Sequence, residues 1–101
     1  IKISLESLRE KTALLPYVKL GEPKMLIGRD TKNSILNGVV FGMAGSCKEL
    51  INRIKRYIGK NAVVIGTGGN IRLIKKYSGI KMQVDADLTL RGINLIYENT
   101  I

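Results

Sequence analysis

From Leu36 onward, apolar residues recur at intervals of three and four: Leu36, Val40, Met43, Cys47, Leu50, Ile54 and Ile58. That spacing keeps one side of a helix apolar for roughly six turns and predicts a long helix with one packed face. Gly28-Arg29-Asp30-Thr31 reads as the turn that starts it, with Asp30 or Thr31 placed to cap. Gly59 reads as the stop. Gly38, Gly42 and Gly45 lie inside the stretch, and each interior glycine costs about 1 kcal/mol of helix stability. Three of them imply a close backbone approach by another helix or a ligand, or a break near Gly42; close helix packing is the simpler expectation.

Elsewhere the pattern is shorter-ranged. Ser4 can cap a first helix whose Leu5, Leu8, Thr12 and Leu15 share a face, ended by Pro16. Residues 17–27, with Gly21 and Pro23, read as a connector with extended pieces. Ala62-Val63-Val64-Ile65 is too short for a helix and predicts a buried strand. Asn70 can then cap a short helix through Ile71, Leu73 and Ile74 that ends near Gly79. Residues 81–84 predict a second strand, and Asp87 or Thr89 caps a last helix whose apolar side is Ile93, Ile96 and Tyr97. The order β–α–β–α points to an α/β fold with parallel strands. Two parallel strands cannot cover their own faces, so the pattern predicts part of a larger sheet.

Length and composition narrow this little. The 101 residues suit one domain, and 45 % apolar with 25 % charged residues excludes a disordered chain. The net charge is +9, and between Lys48 and Lys81 nine basic residues face one acidic residue, Glu49. Such an excess attracts polyanions or simply solvates helix faces. With one phenylalanine, no tryptophan and no aromatic–basic interleaving, nucleic acid is not the expected partner. A small basic nucleic-acid or nucleotide-binding module remains the alternative of a different class. A lone cysteine, Cys47, cannot form an internal disulfide and reads as a small buried hydrophobe in a reducing, cytoplasmic compartment; without histidine, no zinc site is expected. No apolar run is long enough to cross a bilayer, and the start shows no signal peptide. The chain opens on Ile1 rather than methionine, and the expectation is a processed or truncated product lacking upstream sequence.

Three places are candidates for chemistry. In Val63-Val64-Ile65-Gly66-Thr67-Gly68-Gly69-Asn70 a strand runs into glycines before a helix, an arrangement that offers backbone N–H groups and a positive helix end to an anion. It fits neither the Walker nor the dinucleotide fingerprint, and tight packing explains many such glycines. The Thr31 hydroxyl can bond a polar ligand or cap its own helix. Asp85-Ala86-Asp87 offers two carboxylates, which more often cap a helix than hold a metal. No catalytic residue and no metal ligand is assigned to this chain.

Taken in order, these stretches resemble one family. Ile27-Gly28-Arg29-Asp30-Thr31, with Ser34, Gly38, Gly42 and Gly45 beyond, is similar to the G-K-N-T segment and small-residue helix of type III pantothenate kinases. Val64-Ile65-Gly66-Thr67-Gly68-Gly69 is similar to their A-T-G-G turn, and Asp85-Ala86-Asp87-Leu88-Thr89-Leu90-Arg91-Gly92-Ile93, with Asn99, to their D-P-x-L-T-L-x-G-L ending. Ile1-Lys2-Ile3-Ser4 resembles the stretch just after the family's A-P-G loop. Asp30 stands where asparagine is usual, Ala86 replaces a proline, and Asn70-Ile71 replace the usual pair after the double glycine.

The resemblance implies the C-terminal half of an actin-like, ribonuclease H-like kinase fold, here a helix-rich piece with a short parallel β-α-β unit. It implies ATP-dependent phosphorylation of pantothenate to 4'-phosphopantothenate, the first step of coenzyme A synthesis, by a cytoplasmic homodimer. Thr31 would bond pantothenate, and Gly66, Thr67, Gly68 and Gly69 would line the nucleotide pocket. The long helix would lie at or near the dimer interface. The phosphate-binding D-x-G-N-T loop, the base aspartate, and the sites for Mg²⁺ and a monovalent cation (K⁺ or NH₄⁺) belong to an N-terminal half absent from this chain. The intact protein is then a kinase and these 101 residues alone are not; a kinase of the same superfamily with another acceptor is the closer alternative.

Overall fold

The computed structural model describes residues 1–11 and 15–100. In chain order the elements are α1 (Lys2–Lys11), α2 (Thr31–Ile58), β1 (Ile65–Gly66), α3 (Ile71–Ser78), β2 (Gln83–Val84) and α4 (Leu88–Thr100). The α/β pattern read from the sequence is the one observed, with β1 and β2 parallel, Ile65 opposite Gln83 and Gly66 opposite Val84. Gln83 N–H donates to Val64 O and Asp85 N–H to Gly66 O, both at 2.9 Å. The crossover between the strands is α3, which lies along α2.

The start and stop of α2 have local causes. Asp30, extended at φ −139°, accepts a 2.8 Å bond from Asn33 N–H on one carboxylate oxygen, and the Asn33 side chain donates to the other at 2.9 Å. Gly59, at φ 124°, ends the helix while its N–H donates to Lys55 O at 2.8 Å. Lys55 and Arg56 in the last turn sit at the negative end of the helix dipole. The helix runs unbroken through Gly42. A Cβ on Gly38, Gly42 or Gly45 meets nothing within 4 Å, so the close approach those glycines allow is not made by the described residues.

The buried face of α2 is not the one its apolar stripe predicts. Asn37, Val40 and Ala44 are buried, with Phe41, Cys47 and Ile51 half-buried beside them. Of the predicted stripe only Val40 is fully buried, and Leu50, Ile54 and Ile58 are more than half exposed. The two lines are offset by about one residue, or 100° around the helix. On this side α3 packs along α2, and Phe41 meets Tyr77 edge-on, with ring centroids 5.4 Å apart and planes at 87°. The larger apolar side chains form a second face.

Other expectations shift in smaller ways. Since α1 begins at Lys2, Ser4 lies inside it rather than at its cap. Leu5 is buried, and the predicted Thr12 position falls outside the described residues. Asn70 stands at the head of α3 without a side-chain cap bond, while Gly79 closes α3 in the left-handed conformation, φ 68°. The predicted strand at 62–65 is short, and Val63 and Ile65 are exposed rather than buried, because among the described residues no third layer covers that side of the two-stranded sheet. Similarly, α4 buries none of its residues.

The core is accordingly small: Leu5, Val18, Val40, Ala44, Ile74 and Met82. The accessible surface is 7911 Å², against about 5,700 Å² for a compact monomer of this mass. The radius of gyration is 16.9 Å, against about 13 Å for a compact chain of this length. Within this core Val40 is the largest fully buried side chain. Replacing Val40 by alanine is expected to remove about 2 kcal/mol, lowering the urea midpoint of the intact protein; an unchanged midpoint would deny Val40 its place in the core.

Residues 15–30 have no regular structure, and polar ties hold them to α3. Lys76 Nζ donates to Glu22 Oε1 at 2.7 Å, and Tyr77 Oη donates to Pro23 O at 3.4 Å. The Glu22 hydrogen bond and charge raise the Lys76 pKa above its ordinary 10.5. The tie is therefore complete below that value and lost as pH rises through the raised one. Both side chains are mostly exposed, so it orients the connector more than it stabilises the fold.

Candidate functional site

The turn after β1 is built by glycines. Gly66 is buried, and a Cβ there would stand 2.5 Å from Ile71 Cγ1 and 2.8 Å from Met82 Sδ. Only a glycine lets α3 fold back this closely over the strand end. Gly68 sits at φ 110°, a conformation that side chains resist, and Ile71 N–H donates to Gly68 O at 3.4 Å as α3 begins. Gly68 and Gly69 are exposed, and a Cβ on either meets nothing within 4 Å. The result is an open glycine shelf at the carboxyl end of a parallel strand, leading to a helix N-terminus. Ligands of open α/β sheets bind at such ends.

The turn before α2 is held as tightly. A Cβ on Gly28 would lie 2.5 Å from Ser34 N and 2.7 Å from Ser34 Cα, so backbone presses on backbone. Asp30 takes the capping role. Thr31, the first helical residue, is therefore exposed, and among the described residues its hydroxyl has no hydrogen-bond partner. Of the two residues that the sequence offered as caps, one caps and the other keeps a free hydroxyl.

Asp85-Ala86-Asp87 is a structural turn. Asp85 Oδ1 accepts from Asp87 N–H at 3.1 Å, Leu88 N–H reaches Asp85 O at 3.4 Å, and Asp85 Oδ2 pairs with Arg91 on α4. Both Asp85 oxygens are thus engaged in starting α4. Among the described residues no group of three or more histidine, cysteine, aspartate or glutamate side chains is placed to hold a metal ion. The donor set here does not fit Mg²⁺, and no step through a metal is derived for this chain. No helix among the described residues is long and apolar enough to cross a membrane.

The three turns lie on different elements, and no hydrogen bond or ion pair among the described residues joins Thr31 to Gly66, Thr67, Gly68 or Gly69. The sequence reading missed Asn37, which is buried on α2 and reaches back to the connector. The available signal was a polar residue set among apolar neighbours in a helix, between Leu36 and Val40.

The sequence model of the family described as type III pantothenate kinase matches residues 1–53, just over half of the 101. The chain belongs to the type III pantothenate kinase family. Curated members of that family align along nearly all of it. A type III pantothenate kinase of an Exiguobacterium species is 40 % identical over 98 residues, covering 97 % of this chain and 38 % of that protein. The one from Syntrophus aciditrophicus is 38 % identical over 97 % of this chain and 39 % of its own length. One from Dehalococcoides mccartyi is 39 % identical over 97 % of this chain and 37 % of its own. The chain thus spans about two fifths of the length of the family members it matches. The glycine shelf and the Gly28–Thr31 turn both lie within the aligned stretch, which takes in nearly the whole chain.

Proposed function

We propose that the protein containing this chain phosphorylates pantothenate with ATP to 4'-phosphopantothenate, the first step of coenzyme A synthesis. The observation that carries this reading is the glycine shelf at the end of β1, in a chain of this family: an exposed, side-chain-free surface beside a helix N-terminus suits a nucleotide. Gly66, Thr67, Gly68 and Gly69 line the adenosine side of the ATP pocket, and the free hydroxyl of Thr31 bonds pantothenate.

Phosphoryl transfer asks a protein mainly to position its two substrates in line and to neutralise charge. This chain does the first. Thr31, at the rigid start of a capped helix, fixes the acceptor, while the shelf admits the nucleotide without a side chain in its way. The phosphate-binding loop, the base aspartate and the sites for Mg²⁺ and K⁺ or NH₄⁺ are assigned to an N-terminal half, which completes an actin-like fold around the cleft. The exposed face of β1 and the unburied α4 are the surfaces this half has to cover. The enzyme works as a cytoplasmic homodimer. The second apolar face of α2, with Leu50, Ile54 and Ile58 more than half exposed, supports packing of this helix at or near the dimer interface.

The test is direct. The intact protein should form 4'-phosphopantothenate from pantothenate and ATP, seen by mass spectrometry, and these 101 residues alone should form none. Product from the isolated chain would overturn the division of labour. Failure of the intact protein on pantothenate, with turnover of another acceptor, would replace the substrate.

A further inference from the structure

The segment that delivers Thr31 to its place has almost no apolar anchor. Leu26 and Ile27 are 75 % and 77 % exposed. A polar side chain holds the segment instead. Asn37, less than two turns beyond Thr31 on α2 and only 6 % exposed, donates from Nδ2 to Met25 O at 2.6 Å and to Leu26 O at 3.1 Å. Its Oδ1 is buried and has no hydrogen-bond partner. A buried acceptor left unsatisfied carries a desolvation penalty, so an amide here is a poor choice for stability alone. What it supplies is a pair of donors aimed at two successive carbonyls, which no apolar residue of the same bulk offers. The other side of the turn is fixed separately, by the Asp30–Asn33 bonds and by a long 3.4 Å bond from Ser34 Oγ to Gly28 O.

We infer that Asn37 is a positioning residue for the phosphoryl acceptor. It latches residues 25 and 26 onto α2, so that the turn at Gly28 has one course and the Thr31 hydroxyl one position. It acts through the backbone and does not touch the acceptor. The inference rests on the kinase reading and on Thr31 as its acceptor contact.

Two variants of the intact protein test it. Asn37→Leu keeps the bulk but removes both donors and the orphaned oxygen. Asn37→Asp keeps the shape and turns an oxygen toward the two carbonyls. For Asn37→Leu, the melting temperature should hold or rise while the KM for pantothenate rises at least about fivefold and that for ATP stays within about twofold. Amide hydrogen exchange at residues 25–31 should quicken. Asn37→Asp should show the same split in KM with a lower melting temperature. A pantothenate KM unchanged in Asn37→Leu, or both KM values rising together as stability falls, would leave Asn37 a packing residue and overturn the inference. If the wild-type protein does not phosphorylate pantothenate, the functional reading falls, and the acceptor role with it. Exchange then decides the latch by itself: faster exchange in Asn37→Leu supports it, and unchanged exchange removes it.

Discussion

Thr31→Ala in the intact protein is expected to raise the KM for pantothenate about tenfold, with the KM for ATP within about twofold of wild type. The size follows from one lost hydrogen bond to a neutral group, roughly 1–1.5 kcal/mol. The selectivity follows from the structure. Asp30 already accepts the Asn33 N–H, so the Thr31 hydroxyl is not needed to start α2. Losing it should leave the melting temperature nearly unchanged, which separates this variant from one that frays the helix. Thr31→Ser keeps the hydroxyl and should stay within about threefold of wild type in kcat/KM. Steady-state kinetics with each substrate varied in turn reads all of this. Equal changes for pantothenate and ATP would remove the acceptor role.

What was legible in the sequence was what a few consecutive residues decide. The cap at Asp30 or Thr31, the Gly59 stop, the helix end near Gly79 and the strand–glycine–helix order around Gly66 each depend on neighbours within about five positions. Resemblance to the family was legible for the same reason, since its motifs are short and fall in order. The burial of α2 was not. Leu50, Ile54 and Ile58 make the better apolar stripe, yet the face buried inside the chain is the one with Asn37, Val40 and Ala44. A hydrophobic pattern shows that a face is to be covered, not by what. Two faces a single residue apart, one covered here and one open, merge into one stripe when read along the chain. The exposed Val63 and Ile65 repeat the point in the sheet: the strand pattern is right, and nothing among the described residues covers it. Asn37 escaped notice because its partners, Met25 and Leu26, lie twelve and eleven positions away on irregular backbone, which leaves no periodic trace.

The two crowded glycines allow a sharper test of how the candidate sites are built. Gly28→Ala places a methyl group against the backbone of Ser34, whose N and Cα belong to the first turns of α2 and cannot step aside. The expected loss is about 3 kcal/mol, the upper range for overpacking, with the pantothenate KM rising as the turn is pushed away from α2. Trimming the neighbour should help little: Ser34→Ala removes the Oγ contact at 2.7 Å but leaves the backbone N at 2.5 Å and Cα at 2.7 Å, so the double variant should be hardly more stable than Gly28→Ala. At Gly66→Ala the three nearest atoms all belong to side chains, Ile71 Cγ1 and Cδ1 and Met82 Sδ. It should cost about 1–2 kcal/mol and act on the ATP KM instead. Here Ile71→Ala in the same chain should restore part of the loss, giving a coupling of at least about 0.5 kcal/mol in a double-mutant cycle, measured by urea unfolding of the intact protein. The asymmetry is the diagnostic. Coupling at Gly66 without coupling at Gly28 means that the glycine shelf is shaped by movable side chains, and that the Gly28–Thr31 turn is set by the helix backbone itself. Rescue of Gly28→Ala by Ser34→Ala would instead mean that the turn rests on the Ser34 side chain, and its close approach to α2 would no longer explain why glycine stands at position 28.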